Sequence, residues 1–240
     1  GIFGFGDTGS VTGVTNLVSN AGVVASDTAA VGTARRYCAA CEYGGDKAIF
    51  GYGYTTGVVS ITNLVSNAGV VASDQAATTG TARYFLAACS YGGDKGIFGF
   101  GHTTYSLTNL VSNAGVVASD TTGVGTGRYG LAACEFGGDK AIFGYGNAGP
   151  VSMTNLVSNA GVVATDTTGV GTARYVLAAC SFGGDKGIFG FGYGPLSMTN
   201  LVSNAGVVGT DVTGVGTARF ANAACEFGGG KGIFGYGSTG

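Results

Sequence analysis

The sequence predicts an all-β fold, and two repeated patterns and their spacing are the reasons. In the first pattern two apolar runs, residues 131–136 and 141–145, flank a Gly-Gly break at residues 137–140. A Gly-Gly break between strand-like runs is typical of a tight β-hairpin. In the second pattern Thr-Asn-Leu-Val-Ser-Asn occurs five times, at spacings of 47, 46, 46 and 45 residues. Five units of this length predict a five-bladed β-propeller with four antiparallel strands in each blade.

Each unit divides into four predicted strands. In the third complete unit these are residues 131–136, 141–145, 153–158 and 162–165, with turns at 137–140 and 159–161 and a longer loop at 166–172. The apolar spacing is not helical, and long runs of Ala, Leu, Glu or Lys are missing. Five four-stranded meanders arranged radially bury their faces against one another. We therefore expect residues 1–240 to form one propeller domain.

The two ends of the chain carry an extra copy of one pattern. Ile-Phe-Gly-aromatic-Gly occurs six times, beginning at Ile2, Ile49, Ile97, Ile142, Ile188 and Ile233. We expect residues 220–226 to supply the strand that the first blade lacks, so that pairing of the N- and C-terminal segments closes the ring. Residues 232–237 and 1–6 then compete for one place. One of them should be displaced, peripheral or paired elsewhere, and the sequence leaves open which.

Composition excludes several classes of partner. Apolar residues make up 45% and charged residues 10% of the chain, with a net charge of −2 and a pI near 5.2. This balance gives no electrostatic reason to expect a nucleic-acid partner. No apolar run approaches the roughly 20 residues needed to cross a bilayer, so no membrane span is expected. Because the chain begins at Gly1 without Met, we expect processing or excision from a longer chain.

The order of features within a unit resembles the kelch repeat of kelch and galactose-oxidase-like propellers. Residues 172–174 resemble the start of that motif, residues 177–180 its small apolar run, and residues 188–192 its glycine pair. Two departures are an aromatic between the glycines and the absence of Trp. The units also resemble the degenerate kelch-type repeats of virion structural proteins of marine tailed phages. The resemblance implies a propeller and a virion-associated, non-enzymatic role.

One arginine in each unit is a candidate for ligand binding. In a closed ring these residues would lie on a circle at one face, where guanidinium groups could bind a carboxylate, phosphate or acidic sugar. They are Arg35, Arg83, Arg128, Arg174 and Arg219. The alternative is structural, with each Arg paired to the Asp that precedes it. Those residues are Asp27, Asp74, Asp120, Asp166 and Asp211.

The loop after Ile-Phe-Gly-aromatic-Gly varies most between units, and it holds the other candidates. Tyr54, Tyr105 and Tyr193 fall in these loops, together with His102, the only histidine. Exposed loop aromatics can stack on sugar rings, and they can equally be plain loop packing. His102 has no partner pattern that would make it a catalytic base.

Nothing else in the sequence points to catalysis. The Asp-Lys pairs lie in predicted turns, and five in-register cysteines plus Cys38 are interpreted as small buried side chains. With one histidine, the paired copper ligands of a galactose-oxidase-type enzyme are missing. We expect no enzyme, no metal and no cofactor.

The expected function is that of a structural or adhesion propeller, a phage virion protein that contacts host-surface glycans or other virion proteins. The alternative is a soluble multivalent lectin. Free thiols fit synthesis in a cytoplasm, followed by a place on the virion or an extracellular surface. Because neighbouring units are nearly identical, strand-swapped homo-oligomers are also expected.

Overall fold

The computed structural model describes residues 1–75 and 80–240, and every regular element in this part of the chain is a β-strand. Sixteen strands form six small antiparallel sheets. The strands are β1 (Ile2–Asp7), β2 (Val11–Leu17), β3 (Ala39–Tyr43), β4 (Lys47–Gly51), β5 (Thr62–Val65), β6 (Ala87–Tyr91), β7 (Lys95–Gly101), β8 (Tyr105–Val111), β9 (Ala132–Phe136), β10 (Lys140–Gly144), β11 (Thr154–Val157), β12 (Ala178–Phe182), β13 (Lys186–Gly192), β14 (Leu196–Val202), β15 (Ala223–Phe227) and β16 (Lys231–Gly235). The all-β prediction is confirmed.

Each complete unit forms one three-stranded sheet. Its first strand follows the Arg, its middle strand carries Ile-Phe-Gly, and its third strand carries Thr-Asn-Leu-Val, as in β9-β10-β11. The predicted hairpin is confirmed, since Phe136 pairs with Lys140 across the turn. Gly137 and Gly138 in that turn have φ values of 64° and 76°. Glycine adopts this left-handed conformation without a steric penalty, which explains the Gly-Gly pair.

The fourth predicted strand is reduced to isolated bridges. Val157 bridges Val163 and Thr154 bridges Thr167, with no continuous ladder between them. Val162, directly before the first bridge, is 66% exposed and residues 164–168 are exposed as well, so this segment buries too little apolar surface to sustain a strand of its own. The sheets of the complete units therefore have three strands, and the prediction of four in each blade is wrong in this respect.

The two end segments behave differently from the prediction. β1 pairs with β2 and β15 pairs with β16, so residues 220–226 do not complete the first sheet by pairing with β1. Both terminal copies of Ile-Phe-Gly are ordered strands, and neither is displaced. Each copy pairs with one neighbour in a local hairpin, β1 with β2 and β16 with β15. The described residues thus form six sheets where the sequence predicted five blades.

Neighbouring sheets pack through a repeated contact between phenylalanine and glycine. A Cβ on Gly144 of β10 would lie 2.6 Å from the buried Phe189 ring of β13, so only glycine fits there. The same phenylalanine-on-glycine contact is made at residue pairs 4/50, 51/98, 99/143, 190/234 and 235/3. The last of these pairs joins the sheet of β16 to the sheet of β1.

The aromatic residue between the two glycines of the motif has a left-handed backbone in all six copies, with φ between 62° and 66°. These residues are Phe5, Tyr52, Phe100, Tyr145, Phe191 and Tyr236. Such a conformation costs on the order of 1–3 kcal/mol in a residue with a side chain. Because the conformation is repeated in all six copies, contacts around this position have to compensate for its cost.

Candidate functional site

The arginines lie inside the sheet interfaces. Arg128 is buried, and it donates from Nε to the Tyr145 carbonyl (2.7 Å), from Nη1 to the Thr126 carbonyl (3.1 Å) and from Nη2 to Asn155 Oδ1 (2.7 Å). Its guanidinium lies 4.4 Å from the centroid of the Phe100 ring in the preceding sheet. Burial lowers the pKa of Arg128 to about 10, against the opposing effect of Asp166. Arg83 and Arg174 repeat all three hydrogen bonds and the stack.

The partner of each of these arginines is the repeated Asp that follows it in the sequence, which corrects the sequence interpretation. Arg83 Nη1 lies 3.9 Å from Asp120 Oδ1. The same pair of atoms is 3.8 Å apart between Arg128 and Asp166 and between Arg174 and Asp211. The preceding Asp is the wrong partner because it follows the third strand of the previous sheet, whereas the following Asp belongs to the sheet of the Arg itself.

The same carboxylates close a hydrogen-bonded clasp around each sheet. Asp166 accepts from the Thr126 amide (2.9 Å), from Thr126 Oγ1 (2.7 Å) and from Asn155 Nδ2 (2.9 Å). The clasp therefore joins the segment before the first strand to the segment after the third strand. Asp74, Asp120 and Asp211 make the equivalent bonds.

Two arginines depart from the pattern. Arg35 is buried on Phe5, but its Nη2 and Asn63 Oδ1 both lack hydrogen-bond partners among the described residues. Arg219 is half-buried over Phe191, and its Nε has no partner in the same part of the chain.

The burial and the complete hydrogen-bonding of Arg83, Arg128 and Arg174 favour a structural role for the arginines over the ligand-binding role that the sequence also allowed.

The structure brings the loop aromatics together with the residues that directly follow the arginines. Tyr84 lies 5.3 Å from Tyr54 and 4.6 Å from His102, measured between ring centroids, and His102 lies 5.1 Å from Tyr129. Tyr193 lies 4.9 Å from Tyr175 and 5.2 Å from Phe220. We name these rings the aromatic surface. It comprises Tyr37, Tyr54, Tyr84, Phe85, His102, Tyr129, Tyr175, Tyr193 and Phe220.

The aromatic surface is accessible and includes residues that the sequence did not single out. Tyr193 is 51% exposed, and the other rings are half-buried. The residue directly after the Arg is aromatic in four of five units, a signal that sequence reasoning missed. Tyr105 lies apart, because its ring contacts no other aromatic ring among the described residues, and its carbonyl accepts from the Arg128 amide (3.3 Å).

A ladder of backbone hydrogen bonds supports the aromatic surface. Each bond runs from a backbone amide to a backbone carbonyl. The amides of Phe85, Gly130, Val176 and Ala221 donate to the carbonyls of Tyr37 (3.1 Å), Phe85 (2.8 Å), Gly130 (2.6 Å) and Val176 (3.0 Å), respectively. All five residues have φ between 52° and 60°. The ladder links the segments that precede the first strands of five successive sheets. The aromatic residues in and beside these segments are therefore fixed by backbone hydrogen bonds between sheets.

A cavity of about 720 Å³ is lined by the first strands and by the sheet of β1. Ser90 Oγ donates to Glu135 Oε2 and Ser181 Oγ to Glu226 Oε2, both at 2.6 Å. Burial, with the added charges of Glu226 and Glu135, raises the pKa of Glu42. Among the described residues, no group of three His, Cys, Asp or Glu side chains is placed to hold a metal ion.

The cysteines are buried or half-buried free thiols, as the sequence indicated. Burial is the main reason that the pKa of Cys41 is raised to about 12, and it also raises those of Cys89, Cys134 and Cys180. Because the thiolate is the reactive form, these side chains behave as small apolar groups.

The chain matches no protein-family model and no curated protein in sequence. Nothing in the described residues forms a helix long and apolar enough to cross a membrane. The assignment of function therefore depends on the geometry of the site.

Proposed function

We propose that the six sheets surround one axis as a propeller-like ring, and that the chain is a non-enzymatic adhesion module whose aromatic surface binds carbohydrate. The aromatic surface carries this proposal. Its rings lie about 5 Å apart, are partly exposed, and come from successive sheets.

Aromatic rings suit carbohydrate because they combine an apolar face with polar edges. The C–H faces of a sugar stack on such rings, and tyrosine hydroxyls can bond sugar hydroxyls. Among the described residues, one guanidinium lies over rings of the aromatic surface, that of Arg36, which is 5.1 Å from the Tyr37 ring and is paired with Asp7. Neutral rings in several sheets thus support repeated weak contacts with a neutral glycan, which together gain avidity.

The biological setting rests on the resemblance of the units to phage virion repeats. We propose a virion or extracellular surface as the place of action, with a host-surface glycan as the partner. Binding only to other virion proteins would instead make the chain a structural subunit. A soluble multivalent lectin would share the glycan site but would work free of a particle.

A glycan array with matched variants tests the proposal. The double variant Tyr84→Ala, Tyr193→Ala removes two rings of the aromatic surface, and we expect it to lose at least about tenfold in affinity for any glycan bound. Tyr105→Ala is the control, because this tyrosine lies outside the surface. Equal losses in both variants, or no glycan bound by the native chain, would reject carbohydrate binding and move the search to virion proteins.

A further inference from the structure

The sheet of β1 and β2 has a free edge that is filled in every three-stranded sheet. In those sheets the strand that carries Ile-Phe-Gly pairs with a first strand, as β10 does with β9. β1 has only β2 beside it. The described cavity lies along this edge, where Gly1, Ile2 and Ala48 contribute to its lining.

Tyr236 shows what else is missing at this edge. The motif aromatics of the other five copies each lie under the guanidinium of an Arg in the next sheet, at 4.1–4.5 Å. The next sheet after Tyr236 is that of β1, which has no Arg before it. Tyr236 is therefore 55% exposed, whereas Tyr52 and Tyr145 are 0% exposed.

Two acceptors in the same sheet lack their usual donors. In three sheets the Asn of Thr-Asn-Leu-Val accepts from Arg Nη2, but Asn16 Oδ1 accepts from Tyr236 Oη instead (2.9 Å). Asn16 Nδ2 donates to Asp27 Oδ1 (2.8 Å), which begins a clasp. The Thr that completes the other four clasps would stand before Gly1. A Thr-Ala-Arg segment would satisfy all three positions.

A two-unit alternation in the sequence identifies the strand that fits. The first strands carry Glu42, Ser90, Glu135, Ser181 and Glu226 in turn. The motif aromatics alternate Phe and Tyr through all six copies, so that Tyr236 stands next to Phe5. Alternation with a period of two closes only around an even number of sheets. The sixth first strand should therefore carry Ser and donate to Glu42, as Ser90 does to Glu135.

The sheet of β15 and β16 has the complementary gap, because it lacks a Thr-Asn-Leu-Val strand. Arg219 has no Asn of its own sheet for this reason. One continuous stretch fills both gaps. In the chain itself, a Gly-Tyr-Gly at 144–146 corresponds to 235–237, and three residues, 147–149, separate it from residues 150–186. These residues end directly before Gly187, which corresponds to Gly1. They contain both the outer strand and a Ser-type first strand.

We infer that the free edges of β1 and β16 bind one further stretch of this same repeat, of the type of residues 150–186, and that it completes six three-stranded sheets. Strand addition to a free edge is a known mode of recognition, in which backbone hydrogen bonds provide affinity and side-chain pockets provide specificity. The inference rests on the proposed ring of sheets but not on carbohydrate binding.

The test adds a synthetic peptide of residues 150–186 to the purified chain. We expect a 1:1 complex by light scattering and calorimetric titration, and at least tenfold slower nitration of Tyr236. A peptide with Arg174→Ala should bind at least tenfold more weakly, and a peptide of scrambled order should not bind. Because a free peptide can aggregate, a second chain carries a copy of residues 150–186 after Gly240. Its thermal midpoint should rise by at least about 4 °C.

Several results would overturn the inference. One is equal binding of the native and scrambled peptides. Another is an extended chain whose midpoint and Tyr236 reactivity are unchanged. A dimer of the chain alone in which Tyr236 is already protected would identify a second copy as the occupant and reject the added repeat. The glycan array reports on the aromatic surface independently, so failure of one proposal does not resemble failure of the other.

Discussion

Replacing Arg128 with alanine tests whether the buried arginines hold the sheets together. The change removes three hydrogen bonds of 2.7–3.1 Å and the stack on Phe100. It also leaves Asn155 Oδ1 without its donor in a buried interface. The three bonds are not additive, but truncating one partner of a buried charged network costs about 3–5 kcal/mol. We expect a loss of this size in the free energy of unfolding.

Arg219→Ala is the matched control. Arg219 is half-buried, its Nε is unpaired among the described residues, and its main contact is the stack on Phe191. A cation–π contact of this kind is worth about 0.5–1 kcal/mol. Urea denaturation followed by far-UV circular dichroism gives the free energy of unfolding of both variants. The dependence of this free energy on urea concentration should be equal in the two, because a change in it would indicate a change in the unfolding mechanism. Equal losses in the two variants would refute the assignment of stability to the hydrogen-bonded network.

Three further predictions concern packing and charge. Gly144→Ala should destabilise the chain by about 1–3 kcal/mol, because its Cβ would lie 2.6 Å from a phenylalanine ring, whereas Gly235→Ala, at 3.2 Å, should cost clearly less in the same denaturation assay. Burial alone would raise the pKa of Asp120, but hydrogen bonds from Thr81 and Asn109 outweigh it and lower the pKa. The carboxylate therefore stabilises the fold above about pH 4, and this contribution is lost as the pH falls through the lowered value. Asp120→Asn should lose stability at pH 7 and differ less from the native chain at pH 3; an equal difference at both would contradict the clasp. The pKa of Glu42 is raised, so its ionisation opposes folding as the pH rises. Glu42→Gln removes this penalty, so thermal melts should show the variant to be more stable than the native chain at pH 7, with a smaller difference between the two at pH 4.

The elements that local chemistry determines were predictable from the sequence. The Gly-Gly turn and its flanking strands follow from backbone conformation, and β9 and β10 lie within one residue of their predicted bounds. The third strand, β11, also lies within the predicted range. The fourth strand was not predictable from its valines, because a strand also needs a surface to bury, and residues 162–165 have little.

The candidate site was predictable only in part, because it is made by contacts between units. Tyr54, Tyr193 and His102 were found from their variable loops, and the structure places them in the aromatic surface. Tyr84 and Tyr129 were missed because each stands directly after an Arg, where it resembles the start of an apolar strand. Their ring contacts join residues far apart in the sequence, since Tyr129 contacts His102, 27 positions earlier, and Phe85, 44 positions earlier, and no local pattern records this.

The Arg–Asp pairing shows the same limit from the opposite side. Asp120 is only eight positions before Arg128 in the sequence, yet the partner of Arg128 is Asp166, after the third strand of its own sheet. Closeness in sequence favoured the wrong carboxylate. A repeat offers every Arg several equivalent Asp residues, and only the strand order decides between them.

The buried network also explains how nearly identical units stay in register. The Arg128 guanidinium has to reach three acceptors at once: the Tyr145 carbonyl, the Thr126 carbonyl and Asn155 Oδ1. Tyr145 has a left-handed backbone conformation. A purely apolar interface would tolerate a shift in strand register with little penalty. In this chain a slip would leave a buried guanidinium with unpaired donors, at a cost of several kcal/mol at each of the three complete networks, those of Arg83, Arg128 and Arg174. The arginines therefore stabilise one arrangement of the sheets over its close alternatives, and the strained aromatic beside each of them is part of the geometry that makes the discrimination.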